Sequence, residues 1–221
     1  MLWPTVLLLA LAALWVSACR PPAQTEAVCF ACTAEACEAA PCAPGGPPAI
    51  PFTTDEIDLT GDGVPETVHR EDSRVWIEED GERVWKTTDT WEVVDVALGD
   101  PNDDGRGELL LAFWRDDAEG IPRSHPFIIG YRKGIYQTLW GGSAVSEPIR
   151  ELALGDLDGD GIEELVVLED AGGDDRTVGL WRWHGWGFSL MWRSEPGVYS
   201  ELVLVPSEGY GPGSVSVTRV P

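Results

Sequence analysis

An all-β fold is what this sequence predicts, on three observations: an acidic loop that recurs three times, short apolar runs bounded by glycine on either side of it, and a tryptophan at regular spacing ahead of each following unit. Recurrence at a fixed period signals an array in which each unit buries a face against its neighbour. With 25 Gly and 17 Pro in 221 residues, long helices are not expected. Hydrophobic residues make up 43% of the chain and charged residues 24%, which suits a packed domain rather than a disordered acidic tail. The 38 acidic and 15 basic side chains leave a net charge of −23 at pH 7. Such a chain repels nucleic acid and anionic headgroups, and cations are its natural counter-charge.

Residues 1–18, MLWPTVLLLALAALWVSA, carry no charged side chain and end in small residues, the pattern of an export signal. Val16-Ser17-Ala18-Cys19 resembles a bacterial lipobox, which implies cleavage before Cys19, lipidation of its thiol, and attachment to the cell envelope. The departure from that pattern is that no Lys or Arg precedes the apolar run. An uncleaved anchor helix is the alternative, although the run is short for a bilayer span. Residues 19–50 read as a Cys-rich and Pro/Gly-rich tether, ending in Ala43-Pro44-Gly45-Gly46-Pro47-Pro48. Within it, Cys29, Cys32, Cys37 and Cys42 form an even set. In an exported protein two disulfides are the expectation, with three possible pairings; a redox dithiol at Cys29 and Cys32 or a four-thiolate metal site are the alternatives.

Residues 51–221 hold the repeats. The loop copies are Asp58-Leu-Thr60-Gly-Asp62-Gly63-Val64-Pro-Glu66, Asp100-Pro-Asn102-Asp-Asp104-Gly105-Arg106-Gly-Glu108 and Asp156-Leu-Asp158-Gly-Asp160-Gly161-Ile162-Glu-Glu164. Each places oxygen-bearing side chains at positions 1, 3, 5 and 9 and glycine at position 6. Alternate side chains of a tight loop converge on one centre, the glycine permits the sharp turn, and the carbonyls of Val64, Arg106 and Ile162 at position 7 can add a further oxygen. An all-oxygen shell of this kind suits calcium, the expected cofactor. An ordinary solvated Asp-Gly turn is the better reading of any one copy, but not of three alike.

Strand-like runs flank the loops: Asp95-Val-Ala-Leu-Gly-Asp100 and Glu151-Leu-Ala-Leu-Gly-Asp156 before them, Leu109-Leu-Leu-Ala-Phe-Trp114 and Leu165-Val-Val-Leu168 after. An EF-hand would need flanking helices and a glutamate at position 12, where His69, Leu111 and Val167 stand. Trp85, Trp140 and Trp192 lie 14 to 16 residues ahead of Asp100, Asp156 and Pro206. Each unit therefore reads as a pre-loop strand, a post-loop strand, a middle strand such as Val75-Trp76-Ile77 or Phe127-Ile128-Ile129, and an outer tryptophan strand. Four-stranded antiparallel units of this length are propeller blades. Glu201-Leu-Val-Leu-Val-Pro206 starts a fourth unit that lacks the acidic loop, as a terminal repeat does. The prediction is a β-propeller-like array of about three and a half blades: a compact ring with a truncated blade, an open array, or a ring completed by a second chain.

On these loops and strands, residues 52–221 resemble the FG-GAP and VCBS repeat proteins, among them the integrin alpha-subunit propellers. The resemblance implies a propeller whose loops hold calcium beside the inner strands. It departs at position 9, usually aspartate in that family and Glu66, Glu108 and Glu164 here.

Trp181-Arg-Trp183-His-Gly-Trp186-Gly-Phe188 is the densest aromatic stretch beyond the signal. Core packing with a hairpin turn is one reading; a platform for sugar rings or a partner protein, built on Trp181, Trp183 and Trp186, is the other. His69, His125 and His184 sit in no nucleophile or zinc motif. The chain has no glycine-rich phosphate loop and no G-x-S-x-G. The expected function is non-catalytic: a calcium-binding envelope lipoprotein that binds an extracytoplasmic protein or a polysaccharide. A hydrolase or other enzyme built on such repeats, and a purely structural calcium module, are the alternatives.

Overall fold

The computed structural model describes residues 25–33, 36–42, 53–116, 119–120, 122–141, 147–205 and 213–219. The signal segment, Cys19 and the Pro/Gly-rich run from Ala43 to Pro48 lie outside them. Sixteen strands and no helix are present among the described residues. In chain order they are β1 (Glu26–Cys32), β2 (Cys37–Ala40), β3 (Thr54–Ile57), β4 (Glu66–Glu71), β5 (Arg74–Glu79), β6 (Glu82–Lys86), β7 (Glu92–Gly99), β8 (Glu108–Asp116), β9 (Pro122–Arg132), β10 (Ile135–Gly141), β11 (Ile149–Gly155), β12 (Glu164–Gly172), β13 (Asp175–Trp183), β14 (Phe188–Arg193), β15 (Tyr199–Val205) and β16 (Ser214–Arg219).

These strands form four antiparallel sheets of four. Blades 1, 2 and 3 are the meanders β3-β4-β5-β6, β7-β8-β9-β10 and β11-β12-β13-β14, with the acidic loop always between the first and second strands. This is the strand assignment that the sequence predicts, including the tryptophan strands β6, β10 and β14. The fourth sheet has the order β15-β16-β1-β2. Its second half comes from the Cys-rich segment: β1 pairs with β16 from Glu26↔Arg219 to Ala31↔Ser214, and β2 pairs with β1. The sequence reading makes residues 19–50 a tether and stops at three and a half blades. The structure instead places Glu26–Cys32 and Cys37–Ala40 in the missing half blade. The cause is apolar alternation too short to register as a strand signal by itself: Val28, Phe30 and Cys32 of β1 and Cys37 of β2 face the core here.

Disulfides join Cys29 to Cys42 and Cys32 to Cys37. The second bridges residues paired across the β1–β2 hairpin. Of the three pairings open to the sequence, this is the one in which both bonds fasten a single hairpin.

Three hydrophobic clusters lie between successive blades. Leu109, Leu111 and Phe113 of β8 face blade 1, where Val68, Val75 and Ile77 meet them, while the alternate residues Leu110 and Ala112 face blade 3. In β12, Leu165 and Val167 face blade 2, and Val166 and Leu168 face blade 4. Period-2 alternation in a strand buried on both faces serves two cores at once. Trp85, Trp140 and Trp192 each pack against one of the three clusters, which accounts for their regular spacing.

The end blades are apolar on one face only. In β5, Trp76 and Glu78 alternate with buried Val75 and Ile77; in β16, Ser214, Ser216 and Thr218 alternate with buried Val215 and Val217. Polar outer faces cannot be buried against one another without unpaired groups. Accordingly no hydrophobic cluster joins blade 1 to blade 4 among the described residues, and the array is open.

Candidate metal loops

The three acidic loops align side by side along one edge of the array, held by backbone contacts. Gly107 N–H of the second loop donates to Asp58 C=O of the first at 2.7 Å, and Gly213 N–H, just before β16, donates to Leu157 C=O of the third at 2.8 Å. Between the second and third loops, Asp100 N–H donates to Glu163 Oε2 at 2.6 Å. Gly99 is what allows this approach: a Cβ there would lie 1.9 Å from that same oxygen.

Within each loop the first aspartate organises the turn. Asp58 accepts Gly61 N–H at 2.7 Å and Gly63 N–H at 2.8 Å, and Asp156 accepts Gly159 N–H at 2.6 Å and Gly161 N–H at 2.9 Å. Asp100 accepts Asp104 N–H at 3.0 Å and Gly105 N–H at 2.7 Å. The position-6 glycines Gly63, Gly105 and Gly161 have φ of 87°, 81° and 90°, a left-handed backbone that other residues adopt only with strain, so the expected role of these glycines is met. At Asp58, desolvation raises the carboxyl pKa, but the hydrogen bonds from Gly63, Gly61, Asp62 and Thr60 outweigh it and the net shift is downward. Position 5 adds Asp62 accepting Val64 N–H at 2.8 Å and Asp160 accepting Ile162 N–H at 2.9 Å.

The closing glutamates are buried in all three loops. Glu66 and Glu164 each tie one oxygen back to the N–H of position 2, Leu59 at 2.6 Å and Leu157 at 2.9 Å, and these two leucines are fully buried. In this way Asp58, Asp62 and Glu66 bring ligand atoms within 4.8 Å of one another, as do Asp156, Asp158 and Glu164. Two acidic clusters therefore can hold a metal ion. Glu164 Oε1 is buried without a hydrogen bond, an orphan that a cation would satisfy. Thr60 Oγ1 lies 3.5 Å from Asp58 Oδ1 at the margin of the first cluster.

The second loop differs, although the sequence reading makes it a calcium loop as well. Its position 2 is Pro101, which has no N–H to offer the closing glutamate. Glu108 Oε1 takes the amide of Asn102 at 2.8 Å and the guanidinium of Arg132 at 2.9 Å instead, and Oε2 has no hydrogen bond. Arg132 also bonds Asp104. Asp100, Asp104 and Glu108 are not gathered as the other two sets are. Asp103 at position 4 has φ of 53°, where the other loops have glycine. Arg106 turns its guanidinium to Tyr131 C=O at 3.2 Å, its stem lying against Gly61. Burial pushes the carboxyls of Glu108 and Glu164 up to about 7.

Arg132 and Arg182 are the side chains entering the loops that the sequence reading misses. Arg182 contacts Asp158 at 3.2 Å, Asp160, and Glu164 at 3.8 Å through Nε. The signal available was register: Leu165 pairs with Trp181, so the next residue of the middle strand stands by Glu164.

The aromatic stretch does not assemble as a platform. Trp181 is buried in the core between blades 2 and 3, Trp183 is half-buried with its ring edge against Trp140 and Phe188, and Trp186, 77% exposed, stands alone at the hairpin tip. Chain direction is the cause, since Gly185 at φ of 82° turns the strand before Trp186. His69 stacks on Trp76 and pairs with Glu78 at 3.2 Å, His125 is buried, and His184 is exposed. At the end of blade 2 remote from the loops, an open cavity of about 810 Å³ is lined by Trp91, Glu92, Trp114, Arg115 and Asp116. No protein-family model and no curated protein matches this chain.

Proposed function

We propose that this chain is a calcium-binding lipoprotein of the bacterial cell envelope, built on FG-GAP/VCBS-type repeats, whose open array binds an extracytoplasmic protein or a polysaccharide and performs no chemistry. The observation that carries the calcium reading is the pair of acidic clusters with ligand oxygens within 4.8 Å, one of them holding the orphaned Glu164 Oε1. Aspartate, glutamate and backbone oxygens in a flexible loop suit a hard cation that accepts ~6–8 oxygens, and magnesium less well, because it demands near-octahedral geometry. In this reading Asp58, Asp62 and Glu66 hold one ion and Asp156, Asp158, Asp160 and Glu164 another. The ions fix the strand ends at which successive blades meet. The two disulfides suit an oxidising compartment, which supports export, and the lipobox-like residues before Cys19 support attachment by lipid. The cavity between Trp91 and Trp114, with aromatic and charged groups together, is a contact surface of the kind sugars use.

Calorimetric titration of the chelator-stripped full chain in detergent tests the reading. Calcium binding at two sites in preference to magnesium, with a raised melting temperature, is the expected result. By linkage the gain is about 2.7 kcal/mol per site at free calcium one hundred times the dissociation constant. No heat of binding and an unchanged melt would refute it.

A further inference from the structure

The three loops share one backbone plan but meet different side chains. One residue beyond the Thr67↔Glu78 pair of blade 1 stands Glu79; one beyond Leu109↔Ile129 of blade 2 stands Gly130; one beyond Leu165↔Trp181 of blade 3 stands Arg182. The first loop thus faces a carboxylate, with Glu79, Asp80 and Tyr131 lining one open cavity together with Thr60, Asp62 and Glu66. Glu79 is held there by Tyr136 Oη–H, donated from blade 2 at 2.5 Å. In the second loop Gly130 leaves room beside Glu108, a Cβ there lying 3.0 Å from Glu108 Cγ, and Arg132 enters from the last position of β9. In the third, Arg182 enters directly.

We propose that Arg132 permanently takes the place of the cation in the second loop, that Arg182 is a displaceable stand-in for it in the third, and that the first loop, facing Glu79, takes its cation without competition. The inference rests on the metal reading of the loops. Three features fix the second loop in its guanidinium-bound form. Pro101 removes the N–H that orients the closing glutamate elsewhere; Asn102 turns an amide donor toward Glu108; and Arg132 bonds the carboxylates of positions 5 and 9 together. The third loop has none of the first two. Leu157 N–H still orients Glu164, position 3 is the carboxylate of Asp158, and Arg182 reaches Glu164 only at 3.8 Å, leaving Oε1 without a hydrogen bond. A divalent ion there gains Asp156 beside carboxylates that the guanidinium already touches, so it displaces Arg182 at a cost that lowers affinity.

Titration of the full chain and its variants decides the matter, with D62N and D160N assigning the first and third loops. Wild-type chain is expected to bind two calcium ions of unequal affinity, the weaker at the third loop. R182Q tightens that site at least tenfold and leaves the first unmoved, and P101L/N102D/R132Q gains a third ion. The proposal is overturned if the wild type binds three ions, or if R182Q leaves the weaker dissociation constant within twofold. If the wild type binds none, the calcium reading fails for the native chain; uptake by R182Q then still supports the arginine proposal, and its absence in R182Q overturns that as well. Should the triple variant not fold, R182Q alone decides.

Discussion

Replacing Phe30 by alanine separates a structural hairpin from a tether. Phe30 is 7% exposed, its ring centroid is 5.1 Å from that of Trp192, and it shares a cluster with Leu168, Tyr199, Val215 and Val217 from blades 3 and 4. Removing a buried phenyl group loses its transfer free energy and leaves a cavity, together about 3–5 kcal/mol in a rigid core. Because β1 is covered on its free side only by the four-residue β2, partial collapse is open to it, and about 3 kcal/mol is expected. For a domain of this size that lowers the melting temperature by roughly 6–12 °C. The assay is urea unfolding followed by tryptophan fluorescence, with disulfides intact, in saturating calcium and again in chelator. Ala31, the neighbour on the opposite face of β1, serves as control: A31S should change stability by less than about 0.5 kcal/mol. An F30A variant equal to the wild type in both conditions would refute the hairpin's place in blade 4.

Four further outcomes are expected. Replacing Cys29 and Cys42 together by serine releases a loop spanning 13 residues and costs about 3 kcal/mol by chain entropy, read as a shift in the urea midpoint. In chelator, the melting temperature should fall as pH rises from about 4.5 to about 7: burial raises the carboxyls of Glu108 and Glu164, so the folded state binds protons more tightly than the unfolded state and loses that advantage as they ionise. Calcium should flatten or reverse this slope, and a melt series at fixed ionic strength checks both. R193M leaves the fully buried Glu169 without the guanidinium that bonds it at 2.6 Å and should cost about 3 kcal/mol, part of which E169Q restores in the double variant. W186A should alter the unfolding free energy by less than about 0.5 kcal/mol, since the side chain is 77% exposed.

One contact between blades recurs at two of the three junctions. Asp95 of β7 accepts Leu152 N–H of blade 3 at 2.9 Å, and Glu151 of β11 accepts Leu202 N–H of blade 4 at 2.7 Å. Each carboxylate lies five residues before its loop's first aspartate, or before Asp156 in the case of Glu151. Glu201, the counterpart in β15, turns instead to Thr218 Oγ1 of its own blade at 2.8 Å. Carboxylates at blade junctions therefore divide between joining neighbours and lining the loops, which accounts for part of the acidic excess.

What the sequence determined by itself is local. Three Asp-Gly loops with oxygens at fixed positions, strands of period 2 around them and a tryptophan ahead of each next unit are set by neighbouring residues, and blades 1 to 3 follow them closely. Tertiary structure decided what depends on residues distant in the chain. Pairing of β1 with β16 joins segments nearly the whole chain apart, and the alternation of Val28, Phe30 and Cys32 does not by itself say which strand lies beside it. Pro101 is legible as a proline, but its effect on Glu108 emerges only when that carboxylate, lacking the position-2 N–H, meets Arg132 at the end of β9. Disulfide choice and arginine entry share this cause: each is fixed by which strands lie side by side, and the polar outer faces of blades 1 and 4 leave the array open where a ring would close.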